Sequence, residues 1–312
     1  MNIRDRIVGC LTGLAIGDAL GTTLEFQQPG TFEPIYDMVG GGPFGLEPGQ
    51  WTDDTSMALC LADSLVECGG FDPVDQMRRY VRWWRDGHRS SRPGNCFDIG
   101  NTVRDALARF EITGEPFAGS TAAMSAGNGS LMRLAPVAMF YAGHPLDAID
   151  RAADSSRTTH ATAEAVDACR YFSILLVSAL RGEPKAVLLS DGLHPAGSIR
   201  AKLPLPPRIR AIAAGSYKHK EVSAIRASGY VVHTLEAALW AFHSSSNFKD
   251  GALLAVNLGE DADTTGAVYG QLAGAYYGAT GIPQDWRDRL YDGDAITNLA
   301  VELYDRGPGV VA

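Results

Sequence analysis

The stretch Gly259-Glu260-Asp261-Ala262-Asp263-Thr264-Thr265-Gly266 constrains this chain more than any other, because it sets three carboxylates and two hydroxyls within six residues and then enters an apolar run. Carboxylates held that close repel one another, and a fold keeps them together most easily around a cation. Thr52-Asp53-Asp54-Thr55-Ser56 has the same character and is also followed by an apolar helical run. The two acidic turns lie about 200 residues apart, so a site built from both needs one folding unit over residues 1–312 in which distant segments meet.

Helix capping accounts for part of each turn. Thr52 is a good N-cap, with Asp53 and Asp54 in the first turn, where a helix favours negative charge. Capping needs one residue, and the remaining acids and hydroxyl are hard oxygen ligands that suit Mg²⁺ or Mn²⁺ rather than zinc. At Asp261-x-Asp263-Thr264 capping explains less, because Asp261 would sit outside the helix while Asp263 and Thr264 compete for the cap. Glu25, by itself an ordinary solvated acid, closes Gly17-Asp18-Ala19-Leu20-Gly21-Thr22-Thr23-Leu24-Glu25 and brings the candidate carboxylates to five. Two divalent cations would nearly neutralise them, and paired metals polarise substrate oxygens and activate water.

The periodicity around these turns is helical. Ile3, Ile7, Leu11 and Leu14 predict a first helix, interleaved with small residues and ending in Gly17–Gly21. A Gly- and Pro-rich loop over 27–51 delivers the chain to Thr52, and a helix follows to Gly69-Gly70. Asp72-Pro73-Val74-Asp75 starts another helix, to Gly87. Further helices are expected from Asp98 to about Phe110, after Gly129 with Pro136 kinking or ending it, at 145–154, from His160 to Leu180, from Val232 to Phe242, and at 249–257, 264–278, 285–291 and 295–305. Alternating strand patterns are scarce, and residues 182–228 show only weak periodicity. The expected fold class is all-α, a single-domain multi-helix bundle.

Three features fit a ligand as readily as a structural role. The turn Gly127-Asn128-Gly129-Ser130 lets backbone N–H groups approach a phosphate, although Gly-Asn-Gly is also an ordinary turn. Asp98 is either a helix cap or a substrate contact, and His160, after Thr158 and Thr159, is structural or ligand-binding. Serine-hydrolase elbows, P-loops and dinucleotide fingerprints are missing. A net charge of -9 argues against duplex nucleic acid or a membrane surface as ligand. The apolar stretches are interrupted too early for a membrane span, the first residues leave no room for a signal sequence, and five scattered cysteines read as reduced thiols, so a cytoplasmic setting is expected.

Five segments together resemble the ADP-ribosylglycohydrolase family: Gly17–Gly21 with Glu25, Gly49-Gln50-Trp51-Thr52-Asp53-Asp54-Thr55, Phe97-Asp98-Ile99-Gly100-Asn101-Thr102, Gly127–Arg133, and Asp261-Ala262-Asp263-Thr264-Thr265. They occur in the family's order and span nearly the whole chain. Gly229-Tyr230-Val231-Val232 is similar to a further family segment. The resemblance implies a binuclear Mg²⁺ or Mn²⁺ site in an all-α fold. Thr52, Asp53 and Asp54 would hold one cation, Asp261 and Thr264 the other, with Asp263 bridging and Glu25 beside the second. It also implies a substrate site made of Gly127, Asn128, Gly129, Ser130, Met132 and His160, with Gly127 to Ser130 on the diphosphate and Asp98 facing the leaving group. Glu25 and Asp98 are then the candidate catalytic carboxylates. The implied activity cleaves the C1″ bond between ADP-ribose and a protein side chain, arginine first, with ADP-ribose as product. Serine-linked, polymeric or small-molecule ADP-ribose, or binding without catalysis, are the alternatives. Glu260 stands where the family more often has Gly or Asp, and residues 182–228 match no family segment.

Overall fold

The computed structural model describes residues 1–190 and 205–308, and every described element is helical. The α-helices are α1 (Ile3–Gly21), α2 (Asp53–Cys68), α3 (Pro73–Asp86), α4 (Asn101–Thr113), α5 (Ala135–Phe140), α6 (Pro145–Arg157), α7 (Ala163–Leu180), α8 (Lys185–Leu188), α9 (Pro207–Ala213), α10 (Val231–Ser244), α11 (Phe248–Val256), α12 (Ala262–Tyr277), α13 (Gln284–Arg289) and α14 (Gly293–Asp305). β-structure among the described residues is limited to isolated bridges, which bears out the all-α class.

The centre of the bundle is the antiparallel pair α1 and α12. Gly9, Gly13 and Gly17 of α1 face Gly274, Gly270 and Gly266 of α12, and a Cβ built on any of the six would lie 1.8–2.4 Å from the partner's carbonyl oxygen. Side chains are thus excluded from the seam, and backbone packs on backbone. Around this pair, α10 and α11 cover one side of α12, α14 lies on α1, and α7 joins α6 and α5.

Several boundaries follow their local chemistry. Asp72 caps α3 by accepting from the amides of Val74 (2.8 Å) and Asp75 (3.0 Å), and Gly87 ends it at φ 64°. The 27–51 loop carries no helix and is tied down at several points. Asn257 exchanges hydrogen bonds with the backbone of Ile35 (2.8 and 3.0 Å), and Asp37 accepts from Trp286 Nε1 (2.7 Å) and Arg289 (2.6 Å).

Other expectations need correction. Pro136 neither kinks nor ends a helix. It lies in the first turn of α5, where its missing N–H has no partner to lose. The long helix does not start at His160 but at Ala163, because Thr162 is the cap and accepts from Ala165 N (3.2 Å). Asp98 is not a cap either, since α4 begins at Asn101 behind Gly100. Ile3–Leu24, contrary to the expectation that every apolar stretch is too short, is long and apolar enough to cross a membrane by composition, yet 89% of its most apolar window is buried inside the protein. Residues 182–228 include α8 and α9, while 191–204 lie outside the described residues.

The seam sets a measurable constraint. Gly270→Ala places a methyl 1.9 Å from the Gly13 carbonyl oxygen and is expected to destabilise the protein by about 3 kcal/mol or more in urea titration. Gly70→Ala, whose Cβ would meet only Tyr141 Oη at 3.5 Å, should change stability by about 0.5 kcal/mol or less.

Candidate functional site

The α1–α12 seam ends at a cluster of acids. Asp18, on the last turn of α1, is fully buried and reaches the N-terminus of α2. Its Oδ1 accepts from Thr52 N (2.8 Å) and Thr52 Oγ1 (2.9 Å), and its Oδ2 accepts from Thr55 N (3.0 Å) and Thr55 Oγ1 (2.6 Å). The carboxylate that satisfies the start of α2 therefore comes from another helix, and Thr52 makes no side-chain cap of its own. Its hydroxyl faces the acids instead, 3.2 Å from Asp263 Oδ2 and 3.3 Å from Asp54 Oδ2. Thr264 Oγ1 also lies 3.3 Å from Asp54 Oδ2. Asp18 was not among the residues expected at the site. Its signal was present, as an acid flanked by small residues and the one charge in α1 beyond its first turn.

Two groups of carboxylates have oxygens within 4.8 Å of one another: Asp18, Asp54 and Asp263, and Glu25, Asp98 and Asp263. Asp263 belongs to both. All four acceptor positions of Asp18 are already used, so it organises the cluster. In contrast, Asp54 Oδ1, Asp263 Oδ1 and Glu25 Oε2 are buried without a hydrogen-bond partner among the described residues. Three orphaned carboxylate oxygens in one place leave a large desolvation penalty unmet. Hard oxygen donors of this kind fit divalent cations such as Mg²⁺ or Mn²⁺, which would meet it.

Electrostatics carries the same message. Burial, and then the charges of Asp98 and Asp261, push the Glu25 carboxyl up to about 10. Burial, then Asp261, raises Asp98 to about 7, and burial raises Asp18 to about 6 against its four hydrogen bonds. Asp53, Asp54 and Asp263 are all held well above the usual carboxylate range, chiefly by burial and then by neighbouring acids. Without cations, the cluster retains protons.

The acids form the floor of a cleft of about 1510 Å³, lined by Glu25, Asp53, Asp98, Asp261, Asp263 and Thr264 among others. Thr52 and Asp54 lie beneath that floor, fully buried. Asp98 projects from a backbone at φ 61°, a left-handed conformation uncommon for residues other than glycine. Glu260 has φ 55°, which gives a backbone reason for glycine at that position, and its side chain accepts from Arg226 and from Ala227 N (2.9 Å). The end of the unassigned 182–228 stretch thus borders the site, and Asp261 N donates to Ala227 O (2.9 Å).

One wall is the glycine turn. Gly127, Asn128, Gly129, Met132 and His160 all line the cleft. The Asn128 side chain donates to Asp261 Oδ2 (2.7 Å) and Thr234 Oγ1 (2.8 Å), and its amide donates to Gly229 O (3.1 Å), so it joins the turn to the acids. The Ser130 hydroxyl is not brought to the cleft; it is buried and accepts from Ser156 Oγ (2.8 Å). Tyr230 and Arg208, absent from the expected site, stand at the rim, where Arg208 Nη1 donates to Tyr230 Oη (2.7 Å).

A family model described as ADP-ribosylglycohydrolase matches residues 1–310. A relative from Pseudomonas putida (strain GB-1) named ADP-ribosylarginine hydrolase Tri1 is 49% identical over 98% of this chain and 80% of its own length. A protein of the same name from Serratia proteamaculans (strain 568) is 44% identical over 97% of this chain and 80% of its own. ADP-ribosyl-(dinitrogen reductase) glycohydrolase of Rhodospirillum rubrum is 34% identical over 93% of this chain and 91% of its own. A solved structure titled ADP-ribosylglycohydrolase-related protein complex superposes with a TM-score of 0.86 at 45% identity, covering 98% of this chain and 99% of that one.

The proton load fixes the sign of a stability test. Between its ordinary value of 4.5 and its folded value of about 10, Glu25 holds a proton in the fold that the unfolded chain has lost. The folded state therefore binds more protons, and stability falls as pH rises through that window. Asp98 and Asp18 steepen the fall up to about 7 and about 6. The melting temperature of cation-free protein should drop from pH 5 to pH 8, and added Mn²⁺ or Mg²⁺ should flatten the profile by raising it most at pH 8. A profile in chelator that is flat or rises would mean that these acids are ionised in the fold.

Proposed function

The chain belongs to the ADP-ribosylglycohydrolase family, and on that premise we propose that it is a metal-dependent hydrolase releasing ADP-ribose from modified arginine side chains of proteins. The observation that carries the reading is Asp263, which is shared by two carboxylate groups and, like Asp54 in one and Glu25 in the other, keeps a buried oxygen without a partner among the described residues. The arginine linkage draws on the names of the relatives at 44% and 49% identity.

Thr52, Asp53 and Asp54 would hold one cation, Asp261 and Thr264 a second, with Asp263 between them. When bound, the two cations, Mg²⁺ or Mn²⁺, supply Lewis acidity toward the ribose hydroxyls beside C1″ and toward a water. This chain's residues do the remaining work. Asp18 keeps Thr52 turned toward the acids. Gly127, Gly129 and Met132 shape the wall against which the diphosphate end lies. The C1″–N bond breaks with oxocarbenium character, water contributes hydroxide to C1″, and the guanidine nitrogen gains a proton. Glu25, buried at the cleft floor, is the first candidate to move that proton. Asp98 faces the leaving guanidine and favours its positive form. Ribose held in place lets both carboxylates act without further ordering. The free thiols suit a reducing cytoplasm.

Incubation with Mg²⁺ or Mn²⁺ and arginine-, serine- and poly-ADP-ribosylated substrates, followed by mass spectrometry, should release ADP-ribose from the arginine conjugate first. Release only from another linkage would move the specificity, and release from none would leave a binding protein. Asp263→Ala should lower turnover by at least about a hundredfold and abolish cation-dependent stabilisation. The cation-free variant should melt no lower than the parent, because an uncompensated buried acid has been removed. Full turnover of the variant, or of the parent in excess chelator, would sink the metal-dependent reading.

A further inference from the structure

Behind the glycine turn lies a cation that the proposed chemistry leaves unused. Arg133 has no exposed surface, and among the described residues its hydrogen-bond and ring partners are all neutral. Nη2 donates to Thr159 Oγ1 (2.7 Å), with longer contacts to Ser155 O and Thr158 Oγ1 (both 3.4 Å). The guanidinium lies 4.6 Å from the centre of the Tyr80 ring. Thr159 in turn lies 2.9 Å from His160 Nδ1 through the same Oγ1.

The protons along this chain can be counted. A guanidinium only donates, so Thr159 Oγ1 accepts from Arg133. Thr159 is itself fully buried, and the only acceptor within reach of its hydroxyl hydrogen among the described residues is His160 Nδ1. Leaving that hydrogen unpaired in the interior would cost about 1–3 kcal/mol, so Nδ1 accepts. A neutral imidazole that accepts at Nδ1 carries its hydrogen at Nε2. Neutrality follows from the surroundings, since burial and then Arg133 push His160 down to about 3.

The donor so created sits at the edge of the cleft, in a ring that is otherwise buried. Nε2 has no protein partner among the described residues, and the ring lines the cleft. A Cβ on Gly127 would lie 3.1 Å from Nε2, and one on Gly129 would lie 2.8 Å from Cε1, so only glycine at both positions lets the turn pass this close to the ring edge without crowding it. We propose that Arg133 and Thr159 are positioning residues that fix His160 as its Nε2–H tautomer, so that the ring donates to an anionic diphosphate oxygen at the Gly127–Gly129 turn. This deepens the reading of the cleft as an ADP-ribose site and rests on it for the ligand. The ring stays an uncharged donor across the neutral pH range, and Arg133 supplies a fixed positive charge behind it.

The test uses Thr159→Val, which removes the hydroxyl at nearly constant volume, and Thr159→Ser, which restores it. Ring ¹⁵N shifts of histidine-labelled protein, with the His160 signal assigned by its loss in His160→Gln, report the tautomer without any ligand. Calorimetric titration of ADP-ribose into the Mg²⁺-loaded protein reports affinity. The parent should show Nε2–H. Thr159→Val should lose that preference and bind ADP-ribose about three- to tenfold more weakly, and Thr159→Ser should recover both. An Nδ1–H signal in the parent, or parental affinity in Thr159→Val, would overturn the inference. If the parent cleaves no ADP-ribosylated substrate but the Thr159 series behaves as expected, the hydrolase reading falls and the positioning role stands.

Discussion

The contact on which the molecule depends is the backbone-to-backbone seam between α1 and α12. Hydrophobic side chains can be exchanged for others of similar volume, but a seam in which a Cβ would lie 1.8–2.4 Å from a carbonyl oxygen admits no side chain at all. Its effect reaches the chemistry, because Asp18 follows Gly17 directly and Asp263 lies one turn before Gly266. The distance between those two acids is the distance between two helix backbones. Separation of the helices by the width of a methyl group would move the carboxylates apart by a comparable amount, and the shared role of Asp263 would be lost.

The acids at the end of the seam divide by hydrogen bonding rather than by burial. Asp18, Asp54 and Asp263 are all at 0–1% exposure, yet Asp18 is saturated with four donors while the other two each keep an oxygen with none. A saturated acid is part of the scaffold; an orphaned one is a free valence. The same division holds across the cleft, where Asn128 spends its side chain on Asp261 and Thr234 and so links the glycine-turn wall to the acidic floor.

Much of this was legible in the sequence. Caps, glycine stops and apolar periodicity located the helices well, since each is a local rule that Asp72, Pro73 and Gly87 obey. The acidic turns were legible because local explanations for so many carboxylates run out. Pro136 was misplaced because a proline reads alike in the first turn and the interior of a helix until the preceding loop is known. Thr52 is the N-cap residue of α2 as expected, but the carboxylate that accepts from the start of the helix belongs to Asp18, 34 residues away, and no local rule reaches that far. The Arg133–Thr159–His160 chain escaped for the same reason, and a buried arginine with neutral partners resembles any other arginine in sequence.

The order of the segments along the chain has a consequence for biogenesis. Thr52 and Asp263 are 211 residues apart, and the helix that covers α1 is α12. While the chain is being made, α1 emerges with its glycine face bare and waits for most of the protein to be synthesised before its partner exists. Long-range closure of this kind is intrinsically slow and leaves apolar surface open to association in the meantime. The carboxylates are brought into mutual repulsion only at that closing step. A divalent cation available then would act on the last stage of folding, so that loading of the site and completion of the bundle would be one event.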